Sequence, residues 1–227
     1  MGRMRDWPDA WLSEDPLPED PLPILVGWLD EAFAAGVQPN PHAFALATTG
    51  ASGKPEARMV LCKGLEPATG SLLFYTHRSS PKGRALATTG RAAAAFYFGP
   101  QDRQARLEGS IGETSDAESD AYFATRPLDA QLVAWASRQS EPVASRAALE
   151  SELGRWARHF YVSLDDPGQS SRIPRPPDYC GYRLFAERVE LWHSRPGRLH
   201  DRAAWSRALG PAPDFTGGHW RAERLQP

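Results

Sequence analysis

The chain has 227 residues, 41% of them hydrophobic and 24% charged, which suffices for one sizeable core and reads as a soluble globular protein. A formal net charge of −2 and a pI near 6.3 argue against nucleic acid or an anionic membrane as the main partner, so any anion site must be a focused local patch. Cys62 and Cys180 stand far apart with no CxxC or Cys/His spacing, and no apolar run approaches the roughly 18 residues of a membrane span; no structural zinc is expected, and a reducing, cytoplasmic setting is.

In chain order, residues 1–20 are rich in Pro, Asp and Glu with little periodicity, and are expected to form an extended arm ahead of a single domain over 21–227. Asp20-Pro21 reads as a helix start, and Ile24, Leu25, Trp28, Leu29 and Phe33 recur at helical spacing up to Gly36. This helix faces the core, and Trp28 is expected to pack there. Ala43 to Thr49 reads as a short apolar strand that turns at 50–54 and returns antiparallel over Glu56 to Lys63, with a further strand at 71–76. Pro81 to Thr89 is a short helix ending near Gly90, and Ala92 to Phe98 with Gln104 to Ile111 makes a second hairpin.

Consecutive antiparallel strands with short turns imply a small barrel or sandwich, mainly β with flanking helices. Ser115 and Glu118 match a capping box that opens a helix through Phe123, Arg126-Pro127 breaks it, a second helix runs to about Ser137, and Val143 to Tyr161 forms a third. Residues 165–178 read as a surface loop. Tyr179 to Phe185, Arg188 to His193 and Trp220 to Leu225 read as late strands, with a basic turn at 198–202 among them.

The stretch from Arg58 to Lys82 reads as strand, turn, strand, then a basic loop opening a helix. Arg58, Lys63, Tyr75, Thr76 and Lys82 can converge there on something anionic and flat. Ser79 and Ser80 would offer hydroxyls beside the free N–H groups of the helix starting at Pro81, which is phosphate-binding chemistry. An ordinary hairpin with a solvated basic rim fits the spacing equally well. Tyr122, Arg126 and the segment 135–140 read either as ligand contacts or as helix ends satisfying free backbone groups. Arg198, His200 and Arg202 could clamp an anion or form a solvated turn, and Trp192 could stack on an aromatic ring or simply be buried. No histidine has partners at metal-ligand spacing, and no catalytic triad order is readable.

Taken together, the segments MRDWPDAWLSEDPLPEDPL, ARMVLCK, FYTHRSSPKGR, RQARLEG, YFATRP, AWASRQS, LWHSRPGRLHDR and ERLQP occur in an order that resembles the pyridoxine/pyridoxamine 5′-phosphate oxidase family, from about Met4 to Pro227. The resemblance implies a homodimeric split β-barrel with flavin mononucleotide (FMN) at the subunit interface, and a C-terminal family region over about 179–227. It implies that Arg58, Met59, Val60, Leu61, Lys63, Tyr75, Thr76, Lys82 and Gln104 hold the flavin from one subunit, while Gln139, Ser140, Trp192 and Arg202 complete the site from the other. Lys63, Tyr122 and Arg126 would grip the substrate phosphate, Arg198 and His200 would cover its pyridine ring as the catalytic pair, and Arg5 and Trp7 of the arm would act as a lid.

The implied reaction moves a hydride from the substrate to the flavin, with molecular oxygen as acceptor, and yields pyridoxal 5′-phosphate and hydrogen peroxide. Three positions depart from the family pattern: Asn40 replaces an acidic residue, Pro81 an arginine before Lys82, and Ala130 a serine on the substrate phosphate. The lost cation and hydroxyl should each weaken binding by roughly 1–3 kcal/mol at most, since several other donors remain, with Arg78 or Arg84 the candidates to compensate at the flavin phosphate. Two alternatives stay open: a phenazine-biosynthesis type of flavin oxidase acting on another aromatic substrate, and a non-catalytic protein that binds FMN or pyridoxal phosphate.

Overall fold

The computed structural model describes residues 10–13, 15–163 and 173–227. The first part of the chain supplies α1 (Ala10–Ser13), α2 (Leu22–Ala35), β1 (Ala43–Thr49), β2 (Pro55–Leu61), β3 (Gly64–Glu66), β4 (Ser71–His77), α3 (Pro81–Thr89), β5 (Arg91–Phe98) and β6 (Arg103–Glu113). The second part supplies α4 (Asp116–Ala124), α5 (Leu128–Ala136), α6 (Arg146–His159), β7 (Tyr179–His193), β8 (Asp201–Ser206) and β9 (Arg221–Arg224). The strands join in one curled antiparallel sheet ordered β2-β1-β5-β6-β7-β4-β3, with β8 on β7 and β9 on β8.

Local chemistry explains the helix ends. Leu22 N–H donates to Asp20 Oδ1 at 2.9 Å, and α2 stops at Gly36, whose φ of 61° closes the last turn. Ser80 Oγ accepts from Gly83 N–H at 3.2 Å to cap α3, and Ser115 Oγ accepts from Glu118 N–H at 3.1 Å to cap α4. The apolar face of α2, with Leu25 and Trp28, packs onto Phe44, Phe74, Phe96 and Phe98 of the sheet. Trp28 meets Phe98 edge-on at 6.2 Å and carries the buried Arg103 guanidinium 5.0 Å over its ring, so it is a core residue. At about 1.5–3 kcal/mol per buried large side chain, this cluster dominates the fold's stability. A second cluster, with Phe123, Leu132, Ala157 and Tyr179, holds α4, α5 and α6 against the start of β7.

Two strands expected over 179–185 and 188–193 are one 15-residue strand. β6 follows β7 along its length with a register shift at Glu108/Gly109, whereas the other edge of β7 changes partner, from β4 at Tyr179–Phe185 to β8 at Arg188–His193. At this fork Arg207 N–H donates to Glu187 O at 2.9 Å, and Arg207 Nη2 donates to Thr69 O at 2.8 Å. Gly109 is required where β6 crosses the fork, because a Cβ there would lie 1.9 Å from Phe185 O. The basic turn expected at 198–202 is shorter than anticipated, since Asp201 and Arg202 already belong to β8.

The end of the arm is docked on the sheet. Leu12 is buried, Trp205 Nε1 donates to Pro18 O at 2.7 Å, and Arg224 pairs with Asp15 at 2.9 Å and donates to Leu12 O. Arg5 and Trp7 lie outside the described residues. Among the described residues, no helix is long and apolar enough to cross a membrane, and no group of three His, Cys, Asp or Glu side chains could hold a metal ion.

Candidate active site

A cavity of about 640 Å³ opens where edge strand β2, the end of β4, the first turn of α3 and the corner between α4 and α5 meet. β2 lines it with Arg58, Met59, Val60 and Leu61, followed by Lys63; β4 adds Tyr75 and Thr76, and α3 adds Lys82. The α4–α5 corner brings Tyr122, Arg126 and Ala130, and the segment after α5 brings Gln139 and Ser140. Strand alternation accounts for part of this convergence, since β2 is an edge strand whose Met59 and Leu61 remain 66% and 38% exposed. Apolar side chains that open on one edge of a polar cavity suit a flat aromatic ligand.

The cationic side of the cavity is built around Lys82, which is only 8% exposed. Its Nζ donates to Gln139 Oε1 at 2.6 Å and to Ser80 Oγ at 3.3 Å, and Thr76 Oγ1 donates to the same Gln139 oxygen at 2.9 Å. Burial, with repulsion from Arg58 second, lowers the Lys82 ammonium to a pKa of about 8. Arg58 is itself fixed, donating to Thr48 Oγ1 at 2.7 Å and to Glu56 at 2.8 Å. Gly83 lets α3 sit this close, because a Cβ there would fall 2.4 Å from His77 O.

A bound phosphate would raise the Lys82 pKa again, so binding takes up a proton above about pH 8. With FMN bound here as the sequence resemblance implies, its affinity should be flat below that pH and fall above it, approaching tenfold per pH unit, and Lys82→Arg should remove the slope. Titration of flavin fluorescence across this pH range reads it directly.

The aromatic side comprises Tyr75 and Tyr122, stacked at 3.7 Å and 10°, with Tyr179 parallel to Tyr75 at 6.3 Å. Burial pushes the Tyr75 hydroxyl up to about 12, so it stays neutral. The Arg126 guanidinium lies 4.9 Å over the Tyr179 ring, and its Nη1 is buried with no hydrogen-bond partner among the described residues. Arg126 as a whole is half-buried, and an unmade hydrogen bond at its buried Nη1 is a cost that an anionic ligand could offset.

The remaining sequence-named residues lie elsewhere on the chain. Gln104, Trp192 and Arg202 line a separate cavity of about 190 Å³ with Arg106 and Glu190. His200 tilts on the Trp192 ring at 4.6 Å, and its Nδ1 accepts from Arg195 N–H at 3.2 Å. Arg198 is exposed with φ of 62°, and nothing among the described residues engages its side chain. Within one chain the expected flavin contacts fall into two groups. Gln139 and Ser140 stand with Lys82 of their own chain, and Gln104 stands with Trp192 and Arg202.

The loop before α3 also differs from expectation. Ser80 spends its hydroxyl on His77 O and the α3 cap, and Ser79 donates to Asp178 at 2.6 Å. Arg78 is taken up by Glu113 at 2.8 Å and Pro177 O at 2.8 Å, and Arg84 donates to Ser79 O. Neither arginine lines the cavity, and neither does Asn40, which is exposed. Thr125, Pro127 and Tyr179 line the cavity without having been singled out. Tyr179 reads in sequence only as a strand start, because its place under Arg126 depends on a contact across more than 50 positions.

Residues 29–160 match the family model described as pyridoxamine 5′-phosphate oxidase, and residues 179–227 match the pyridoxine 5′-phosphate oxidase C-terminal dimerisation region. The chain is 43% identical over 226 residues to a pyridoxine/pyridoxamine 5′-phosphate oxidase of Rubrobacter xylanophilus, covering 100% of this chain and 95% of that protein. It is 41% identical over 218 residues to the enzyme of the same name from Burkholderia ambifaria, covering 96% and 94%. Among solved structures, PhzG from Burkholderia lata in complex with tetrahydrophenazine-1-carboxylic acid superposes with a TM-score of 0.81 at 29% identity, covering 98% of both chains. A pyridoxamine 5′-phosphate oxidase-related FMN-binding protein from Nostoc punctiforme shares the fold, with a TM-score of 0.67 at 19% identity over 93% of this chain and all of that one. The chain belongs to the pyridoxamine 5′-phosphate oxidase family.

Proposed function

We propose that the protein is an FMN-dependent oxidase that converts pyridoxine or pyridoxamine 5′-phosphate to pyridoxal 5′-phosphate, with molecular oxygen as acceptor and hydrogen peroxide released. The observation that carries this reading is that Arg126 and Tyr122 line the same cavity as Lys82, with Arg126 Nη1 left without a hydrogen-bond partner among the described residues. One cavity thus offers two sets of cationic anion-binding groups and an apolar edge at Met59 and Leu61, as a flavin nucleotide and a phosphorylated pyridine together require. The residues fit FMN: Lys82, Thr76 and Arg58 would hold its phosphate side, with Met59, Val60 and Leu61 against its ring.

FMN supplies the hydride acceptor and the route of electrons to oxygen; the chain supplies position and electrostatics. Arg126 and Lys63 hold the substrate's phosphate, and neutral Tyr122 adds a hydroxyl. With Nδ1 accepting from Arg195 N–H, a neutral His200 carries its proton on Nε2 and acts there as a hydrogen-bond donor. Arg198 and His200 do not line the cavity of their own chain, so we assign the complete site to a homodimer in which the partner copy brings Gln104, Trp192, Arg198, His200 and Arg202.

The test is aerobic incubation of the purified yellow protein with each phosphorylated vitamer while flavin bleaching and peroxide are followed. Turnover with either vitamer is the expected result. A second reading, an oxidase of a phenazine-type aromatic acid, is favoured by the likeness to PhzG and by Ala130, which leaves the cavity without one hydroxyl for a phosphate. Bleaching by an unphosphorylated aromatic acid and by neither vitamer would replace the first reading with the second. Flavin reduced only by dithionite would leave a binding protein.

A further inference from the structure

The last residues of the sequence, Arg224-Leu225-Gln226-Pro227, touch neither cavity, yet they meet the one arginine that the proposed function puts on the flavin from the smaller cavity. Leu225 N–H donates to Arg202 O at 2.9 Å, continuing the pairing of β9 with β8, and Arg202 Nη1 donates to Gln226 O at 2.8 Å. On its other side the same guanidinium is held by Glu190, whose Oε1 accepts from Nη2 at 2.7 Å and from Nε at 3.2 Å. Glu190 is nearly buried and also accepts from Arg106 Nη1 at 3.2 Å. The guanidinium is therefore gripped along its Nε edge by a carboxylate and at Nη1 by a main-chain carbonyl. Its plane is fixed and its remaining N–H groups stay available to a ligand.

We infer that residues 225–227, together with Glu190, act as positioning elements for the flavin site by locking Arg202. The segment is tied down at Leu225 N–H and Gln226 O by the ligand-binding arginine itself. The Gln226 side chain is exposed and the contact is made by its carbonyl, so the requirement is for the backbone path of the segment rather than for glutamine. The inference rests on the proposed function only in taking Arg202 as a flavin contact.

The experiment is a double-mutant cycle on the FMN dissociation constant, read by quenching of flavin fluorescence on titration into full-length apoprotein and its variants. Ending the chain at Arg224 should raise the constant about tenfold, as expected for loosening one charge-assisted contact. The same truncation in an Arg202→Ala background should add nothing, and Gln226→Ala should bind as wild type. Glu190→Gln offers an independent arm with no change in chain length, again weakening binding only while Arg202 is present. Thermal unfolding checks that each variant is folded.

Truncation that leaves the constant unchanged, or that costs as much without Arg202 as with it, overturns the inference. So does an Arg202→Ala variant that binds FMN as tightly as wild type, which leaves the oxidase reading intact. Wild-type protein that binds no FMN sinks both.

Discussion

Replacing Arg126 with alanine is expected to raise KM for the phosphorylated substrate on the order of 100-fold while leaving the spectrum of bound flavin unchanged. The guanidinium is held over Tyr179 at 4.9 Å with Nη1 buried and without a hydrogen-bond partner among the described residues, an arrangement that suits the anion grip proposed above. Charge-assisted hydrogen bonds of this kind contribute roughly 1.5–3 kcal/mol each, which sets the scale of the loss. The same argument gives a second readout. Because the unmade hydrogen bond destabilises the ligand-free fold, Arg126→Ala should melt at or above the wild-type Tm in the absence of substrate. A variant with unchanged KM and a lowered Tm would mean that Arg126 is a structural residue.

Arg198→Ala is expected to act on the other kinetic parameter, lowering kcat on the order of 100-fold with a smaller change in KM. Its backbone sits at φ of 62°, in a turn tied by Arg195 Nε to Asp201 at 2.6 Å and by Arg195 N–H to His200 Nδ1 at 3.2 Å. Left-handed backbone at a non-glycine residue carries strain that the surrounding structure must hold. Such a turn fixes the root of the side chain and leaves its guanidinium unengaged, which suits contact with the reacting end of a substrate more than the anchoring of its phosphate. Steady-state kinetics with pyridoxamine 5′-phosphate separates the two effects, and a pure KM change would transfer Arg198 to substrate anchoring.

Local signals made much of this molecule legible in its sequence. The capping box at Ser115 and the αL glycines Gly36 and Gly90 act over a few residues, and the helices they bound lie where expected. What was not legible depends on distant partners. β7 reads as two strands because its edge partner changes from β4 to β8 at Ala186 and Glu187, and no local pattern records that exchange. Asp201 and Arg202 look like turn residues because their strand pairing comes from β7 and β9. Within the site, residue types pointed to anion binding, but hydroxyl allegiance did not follow from spacing. Ser79 and Ser80 serve Asp178 and the α3 cap, and Lys82 is met by Gln139, 57 residues away.

The most direct test of the composite site is complementation between two crippled variants at low substrate concentration. Arg126→Ala damages the larger cavity and Arg198→Ala the turn beside the smaller one, so a mixed dimer keeps one undamaged site if each site draws on both copies. Unfolding and refolding the two variants together at equal concentration should then restore about a quarter of wild-type activity, since half the dimers are mixed and each has one intact site of two. Activity no greater than the sum of the separate variants, from a mixture shown by mass to contain the mixed dimer, would contradict a site shared between subunits.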